Sequence, residues 1–272
     1  MSSPRPRLVM LGTGSALPRR SYNTCFVLDP GTGQPLLVDA GGGNGILHQL
    51  TQCGLNPADI GSMFISHAHT DHILGAVWIV RLAIFAFKEG RAGWPLHIYG
   101  NAATIGALTE ICRLTFLPSY FADMPNAVVL HTVSHGSTCT VAGMNMRFFD
   151  CHSREVDQTG FRAQLPTGES LCFLGDESLT EHNSADVAGT DWLICGAFCR
   201  RADAHIFHPY EKHHHTVADV AATASDAAVK HLVLVHCEDT DPDRREALYQ
   251  AEAGALFDGN VSVPTDGAII EL

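Results

Sequence analysis

The string His67-Ala68-His69-Thr70-Asp71-His72, directly after the apolar run Met63-Phe64-Ile65-Ser66, constrains this chain more than any other segment. Four metal-capable side chains fall within six residues, at the point where a buried strand ends. In an extended backbone alternate residues point the same way, so His67 and His69 can reach one ion. Asp71 and His72 lie where the chain turns into a helix predicted over Ile73–Ile84, and they can face a second ion beside the first. The competing reading, a solvated loop of surface histidines, fits poorly with a buried strand leading straight into it.

Composition bounds what such a site serves. At 272 residues the chain has ample length to bury a core, and it reads as one domain over 1–272. Its longest apolar stretch, Ile73 to Phe87, contains Arg81 and reads as too short for a bilayer span, so no membrane contact is expected. Met1 to Arg7 run into a strand-like segment with no signal-peptide core, and nine cysteines without disulfide-like spacing fit reduced thiols. A cytoplasmic protein is expected. Cys195 and Cys199 have no second pair nearby, which argues against a structural zinc clip. The net charge is −12, and the 17 lysines and arginines form no run longer than two, as in Arg19-Arg20 and Arg200-Arg201. Polyanions are held through basic clusters, whereas bound divalent ions would supply local positive charge. A small anionic substrate is therefore expected rather than a long nucleic acid.

Strands read at Arg7–Leu11, Thr24–Leu28, Pro35–Val38 and Ile60–Ser66, with helices at Gly45–Cys53, Ile73–Lys88 and Ala102–Leu117. Alternation over Val128–Val133, Cys139–Ala142 and Met144–Asp150 predicts antiparallel strands. Gly160–Gln164, Ser170–Leu174, Trp192–Cys195 and His231–Val235 read as strands, Val217–Val229 as a helix, and Val261–Pro264 and Ala268–Leu272 as short edge strands. Strands in two batches, each followed by helices, imply an α/β protein of two packed sheets with helices outside.

Three further candidate ligands each follow a strand: His152, Asp176 and His236. With the first four they make five histidines and two carboxylates, a set able to hold two borderline ions such as zinc. Together with Leu11-Gly12-Thr13-Gly14-Ser15, Val38-Asp39-Ala40-Gly41, His152-Ser153, Gly175-Asp176 and His215-Thr216, they make the chain resemble the metallo-β-lactamase superfamily. Within it, the chain is most similar to the ribonuclease Z and cyclic-phosphodiesterase branch. That resemblance implies a four-layer αββα fold and a dinuclear hydrolase. It puts His67, His69 and His152 on one ion, Asp71, His72 and His236 on the other, and Asp176 between them. Ions of this kind sit roughly 3.5–4 Å apart, and a bridging hydroxide attacks phosphorus. Asp71 would orient that nucleophile, and His215, ahead of the helix at Val217, would supply the leaving-group proton; the alternative for His213 to His215 is a solvated loop. His208 and Tyr210 either line the mouth or pack their own loop, and Ser153 either meets phosphate or caps a strand end. Asp39 resembles the family aspartate that orients ligands from behind. Gly12 and Gly14 form a turn near the site that Asn23 steadies; without a third glycine they are no dinucleotide fingerprint.

The chain also departs from that branch. Enzymes of the ribonuclease Z type that process transfer RNA carry a long basic arm between the segments matching His152 and Asp176. Here 23 residues separate the two, with Arg154 and Arg162 their only basic side chains. Leu193-Ile194-Cys195-Gly196-Ala197-Phe198 stands where those processors show Glu-Ala-Thr. A small or cyclic phosphodiester is therefore the expected substrate, hydrolysed with two divalent ions, zinc before manganese or iron. Transfer-RNA 3′ processing and hydrolysis of a lactone or thioester are the alternatives. A homodimer is expected through Val77, Trp78, Val80 and Ile84, unless that helix simply packs on the sheet.

Overall fold

Along Arg7–Gly12 (β1) neighbouring side chains part company: Leu8 and Met10 join one core, Val9 and Leu11 another. A strand apolar on both faces needs cover on both, and this requirement builds the whole architecture. The structure is a computed structural model describing residues 5–91 and 95–272. The stretch Met1–Pro4, part of the expected leaderless start, lies outside the described residues.

In chain order, β1 is followed by β2 (Cys25–Asp29), β3 (Leu36–Val38), α1 (Gly45–Gln52), β4 (Ser62–Phe64), α2 (Thr70–Lys88), β5 (Leu96–Gly100), α3 (Ala102–Thr115), α4 (Pro118–Ala127) and β6 (Val128–Thr132). Next come β7 (Thr138–Val141), β8 (Met144–Asp150), β9 (Thr159–Gln164), β10 (Ser170–Phe173), α5 (Ser184–Val187) and β11 (Trp192–Gly196). The chain closes with α6 (Ala204–Phe207), α7 (Val217–Asp226), β12 (His231–Val235), α8 (Pro242–Ala253), β13 (Asn260–Ser262) and β14 (Ile269–Glu271).

The strands form two seven-stranded sheets, ordered β14-β1-β2-β3-β4-β5-β6 and β13-β12-β11-β10-β9-β8-β7. Each is antiparallel on one side and parallel on the other, with β3 to β6 and β10 to β13 the parallel runs. Parallel neighbours need crossovers, and helices provide them on the outer faces. Between the sheets Phe64 stacks on Phe148 at 5.7 Å and meets Phe161 edge-on at 5.1 Å, while Phe26 meets Phe173 at 5.2 Å. The helices α1 to α4 cover the first sheet, and α7 with α8 covers the second. The result is the four-layer αββα sandwich of an α/β protein.

Several expectations change. β5, α4 and α8 were not legible as elements in the pattern. β6 runs parallel to β5 instead of belonging to an antiparallel set, because α3 and α4 return the chain to the starting end of the sheet. α2 starts at Thr70, three residues early, which puts Asp71 and His72 in its first turn, where the helix dipole favours a carboxylate. Its 19 residues make it long and apolar enough to cross a bilayer, contrary to the expectation, but half of that apolar stretch is buried in the molecule. Val80 and Ile84 belong to the core beneath the helix and are not interface residues; Trp78 remains 39% exposed.

The start of α2 is fixed by backbone contact. The amide of Gly75 donates to Gly41 O at 2.8 Å, and that of Ala40 donates to His72 O at 3.0 Å. A Cβ on Gly75 would lie 1.8 Å from Ala40 O, an approach only glycine allows. Gly75→Ala should therefore lift the first turn of α2 off the end of β3, costing about 1–3 kcal/mol through overpacking. Urea unfolding checks it, and a wild-type midpoint would show that this contact does not constrain the helix.

Candidate metal centre

The chemistry-bearing side chains converge at one end of both sheets. Asp39 follows β3, His67 and His69 follow β4, Asp71 and His72 open α2, Asp176 follows β10, and His236 follows β12. Asp39, His152 and His236 have φ values of +53°, +58° and +55°. A left-handed backbone is costly for residues with a Cβ and persists where surrounding contacts over-determine it.

Two overlapping donor groups result, His67 with His69 and Asp176, and Asp71 with His72, Asp176 and His236, the donor atoms of each lying within 4.8 Å of one another. Asp176 divides its oxygens between them. Its Oδ2 lies 3.5 Å from His67 Nε2, while Oδ1 lies 3.0 Å from His72 Nε2 and 2.5 Å from His236 Nδ1. His67 Nε2 and His69 Nδ1 are 3.1 Å apart, and Asp71 Oδ2 is 3.3 Å from His72 Nε2. Close as they lie, Asp71 Oδ2, His72 Nε2, Asp176 Oδ1 and both ring nitrogens of His236 are buried without a hydrogen bond of good geometry. Buried polar atoms crowded together in this way are costly unless cations occupy the space between them. The residues present thus fit two divalent ions.

Behind the donors, Asp39 is fully buried. It accepts from Ser66 N and Ser66 Oγ at 2.8 Å each and pairs with His72 Nδ1 at 2.8 Å. That turns His72 Nε2 inward, where a bound ion would take the place of its proton. With its proton on Asp39, the Ser66 hydroxyl accepts from His67 Nδ1 at 2.9 Å and turns His67 Nε2 inward as well. Burial alone would raise the carboxyls, yet the neighbouring histidines outweigh it. Asp71 is pulled down to about 2, chiefly by His72, and Asp176 is held well below the usual range by His236, His72 and His67. Burial, with His72 beside it, keeps His67 neutral. Burial works the same way on His72, but Asp176, Asp39 and Asp71 overcome it and raise that ring.

Six of the seven expected ligands come together, and His152 does not. Its amide donates to Asp150 Oδ1 at 2.7 Å, and this tight turn at the end of β8 leaves the side chain 44% exposed, with its ring 5.4 Å from His182. Of the three consecutive histidines, His214 lines the cavity containing Asp71, Asp176 and His236, with its ring 4.9 Å from His236. His215 faces an adjoining cavity. His213 lines both cavities, and the His215 carbonyl accepts from Phe198 N at 3.0 Å. Burial, then His236, pushes His214 down to about 4, and burial also lowers His215. Ser153 lines the metal cavity, and the Tyr210 hydroxyl donates to Asp219 Oδ2 at 2.8 Å. His208 is 56% exposed and sits 3.3 Å from Glu211, away from the donor groups. Asn23 Oδ1 accepts from Gly42 N at 3.1 Å and its Nδ2 donates to Ser15 O at 2.8 Å, pinning the glycine turn to the loop after β3. Ser66, Glu177, Lys212 and His214 escaped the sequence reading; only Ser66, directly preceding His67, carried a positional signal.

The sequence profile of the family described as anti-Pycsar protein Apyc1 matches residues 6–253. A ribonuclease Z of Mycolicibacterium paratuberculosis is 29% identical over 282 residues, covering 95% of each chain. The metallo-β-lactamase fold protein YhfI of Bacillus subtilis superposes with a TM-score of 0.78 at 18% identity, over 99% of this chain and 100% of its own. Zinc-bound PqqB of Methylobacterium extorquens superposes at 0.70 and 17% identity, over 98% and 100%. Both structures are similar in fold.

Removing the carboxylate behind the donors tests the arrangement. Asp39→Asn should weaken metal binding by about 10–100-fold in a chelator competition, since the support that orients His72 and His67 is lost. Unchanged affinity would show that the rings are oriented without it.

Proposed function

Because the chain belongs to the anti-Pycsar Apyc1 family, we propose that this metal-dependent hydrolase of the metallo-β-lactamase fold opens a small cyclic phosphodiester, a cyclic mononucleotide foremost. The observation that carries the reading is Asp176, shared between two donor groups, as hydrolysis of a phosphodiester by a paired-ion centre requires. The scale of the site supports a small substrate. The metal cavity encloses about 350 Å³, and the 23 residues between His152 and Asp176 include β9 and β10, leaving no room for a long arm.

His67, His69 and Asp176 would hold one divalent ion, and Asp71, His72, Asp176 and His236 the other, with zinc suiting the nitrogen and oxygen donors. Such ions supply Lewis-acid neutralisation of phosphoryl oxygens and a water acidic enough to ionise near neutral pH. The residues do the rest. Lys212, on the wall of the same cavity, draws the phosphate in. Asp71, ionised and at the start of α2, accepts a hydrogen bond from the attacking water and aims it. His214, kept neutral by burial, offers a ring N–H to the leaving oxygen as its charge develops. The ribonuclease Z relatives favour a second reading, 3′ processing of transfer RNA. The net charge of −12 and the short β8–β10 segment weigh against it.

Metal-loaded protein should hydrolyse cyclic mononucleotides and bis(p-nitrophenyl) phosphate, lose both activities to a chelator, and regain them with zinc or manganese. Trimming of precursor transfer RNA at a higher rate would overturn the substrate assignment. His69→Ala should abolish turnover while the circular dichroism spectrum persists. His214→Ala should lower kcat by about 10²–10⁴-fold, against less than about tenfold for His215→Ala. The reverse order would return the leaving-group role to His215.

A further inference from the structure

A second cavity of about 500 Å³ adjoins the metal cavity. Glu177, His213 and His214 line both and so form the partition between them. The segment after β8 serves both sides alternately: Ser153 and Glu155 face the metal cavity, whereas His152 and Arg154 face the second one. A ligand with its phosphate among the metal donors can therefore extend past Glu177 into the larger space.

The charge in that space decides what it accepts. Arg154 is its one permanent cation among the described lining residues, set against Glu177 and Glu181, while Lys212 faces the metal side. A second phosphate gains little there, which disfavours a longer nucleic acid. A flat neutral ring that presents N–H groups gains a carboxylate acceptor. Tyr210, whose hydroxyl is already committed to Asp219, and His182 offer ring faces for stacking.

We propose that this second cavity seats the nucleobase, and that Glu177 selects bases carrying an exocyclic amino group over uracil. The inference rests on the cyclic-nucleotide reading above. Cytosine presents an amino donor at position 4, where uracil presents a carbonyl acceptor that a carboxylate repels. These two bases differ at that edge, so the pair isolates the effect.

The test is the ratio of kcat/KM for cyclic CMP to that for cyclic UMP, a quantity from which the active fraction of each preparation cancels. The wild type should favour cyclic CMP by about tenfold, the lower range of one polar discrimination. In Glu177→Gln, whose amide both donates and accepts, the ratio should fall to within about threefold of unity. Where this variant turns over too slowly, the ratio of dissociation constants is read instead, with the same expectation. A wild type indifferent to the two nucleotides, or a variant that keeps the wild-type ratio, overturns the role of Glu177 while leaving phosphodiester hydrolysis intact. Hydrolysis of bis(p-nitrophenyl) phosphate with no turnover of either nucleotide overturns the cyclic-nucleotide reading and this inference with it.

Discussion

The Asp39 carboxylate is the contact on which the site depends. It is fully buried, and its oxygens are occupied by Ser66 N, Ser66 Oγ and His72 Nδ1. A buried carboxyl group in that position is tolerated because both its oxygens are hydrogen-bonded. The consequence travels outward through protons: His72 and His67 each donate from Nδ1 and so present Nε2 to the cavity. Without this arrangement the two rings could point the wrong nitrogen inward, and Asp176 would face donors instead of lone pairs. The left-handed backbone at Asp39 is part of the same device, because it turns the carboxylate back beneath the end of β4.

How much of this was legible in the sequence follows from the same geometry. His67, His69, Asp71, His72, Asp176 and His236 stand immediately after apolar strand runs, and parallel strands carry their ends to one edge of a sheet. Periodicity therefore located them and the two sheets together. It could not decide the direction of a side chain beyond the strand. His152 leaves β8 through a left-handed turn, a reversal that no apolar pattern encodes. Three consecutive histidines before α7 give no phase, and only the structure shows that the His214 ring lies 4.9 Å from that of His236 while His215 lines just the adjoining cavity. β5 escaped because a five-residue strand reached through the end of a long helix leaves little periodic signal.

The acidic total and the proposed anionic substrate are reconciled by where the charge sits. Asp71 and Asp176 place two carboxylates among the donors, with Asp39 behind them, a concentration that bound cations would stabilise. Bound ions would reverse the local field over a few ångströms, while the net charge of −12 disfavours an extended polyanion. On the proposed reading, a centre of this kind would admit one phosphate well and many phosphates poorly. The ring-lined space beyond Glu177 continues that logic, since Arg154 is set against Glu177 and Glu181 and a second phosphate gains little there.

The two ends of the chain close the site. Asp266, just before β14, accepts from Thr13 N, Thr13 Oγ1 and Tyr22 N at 3.0, 3.1 and 2.5 Å, and Arg245 on α8 donates to Thr13 Oγ1 at 2.9 Å. Thr13 O in turn accepts from Cys237 N, and Ser15 N donates to Cys237 O. The residue after His236 is thus clamped from both sides by the glycine turn, and His236 N itself donates to Thr24 Oγ1 at 3.0 Å. These bonds cross from the second sheet to the first, so His236 is held by the partner sheet as well as by β12. A donor set drawn from two sheets keeps its spacing only if the sheets cannot slide. The interlocked phenylalanines between them and this clamp at the rim resist the same displacement from two directions. Pairing of β14 with β1 completes the restraint, because it ties the segment carrying Asp266 to the strand that leads into Thr13.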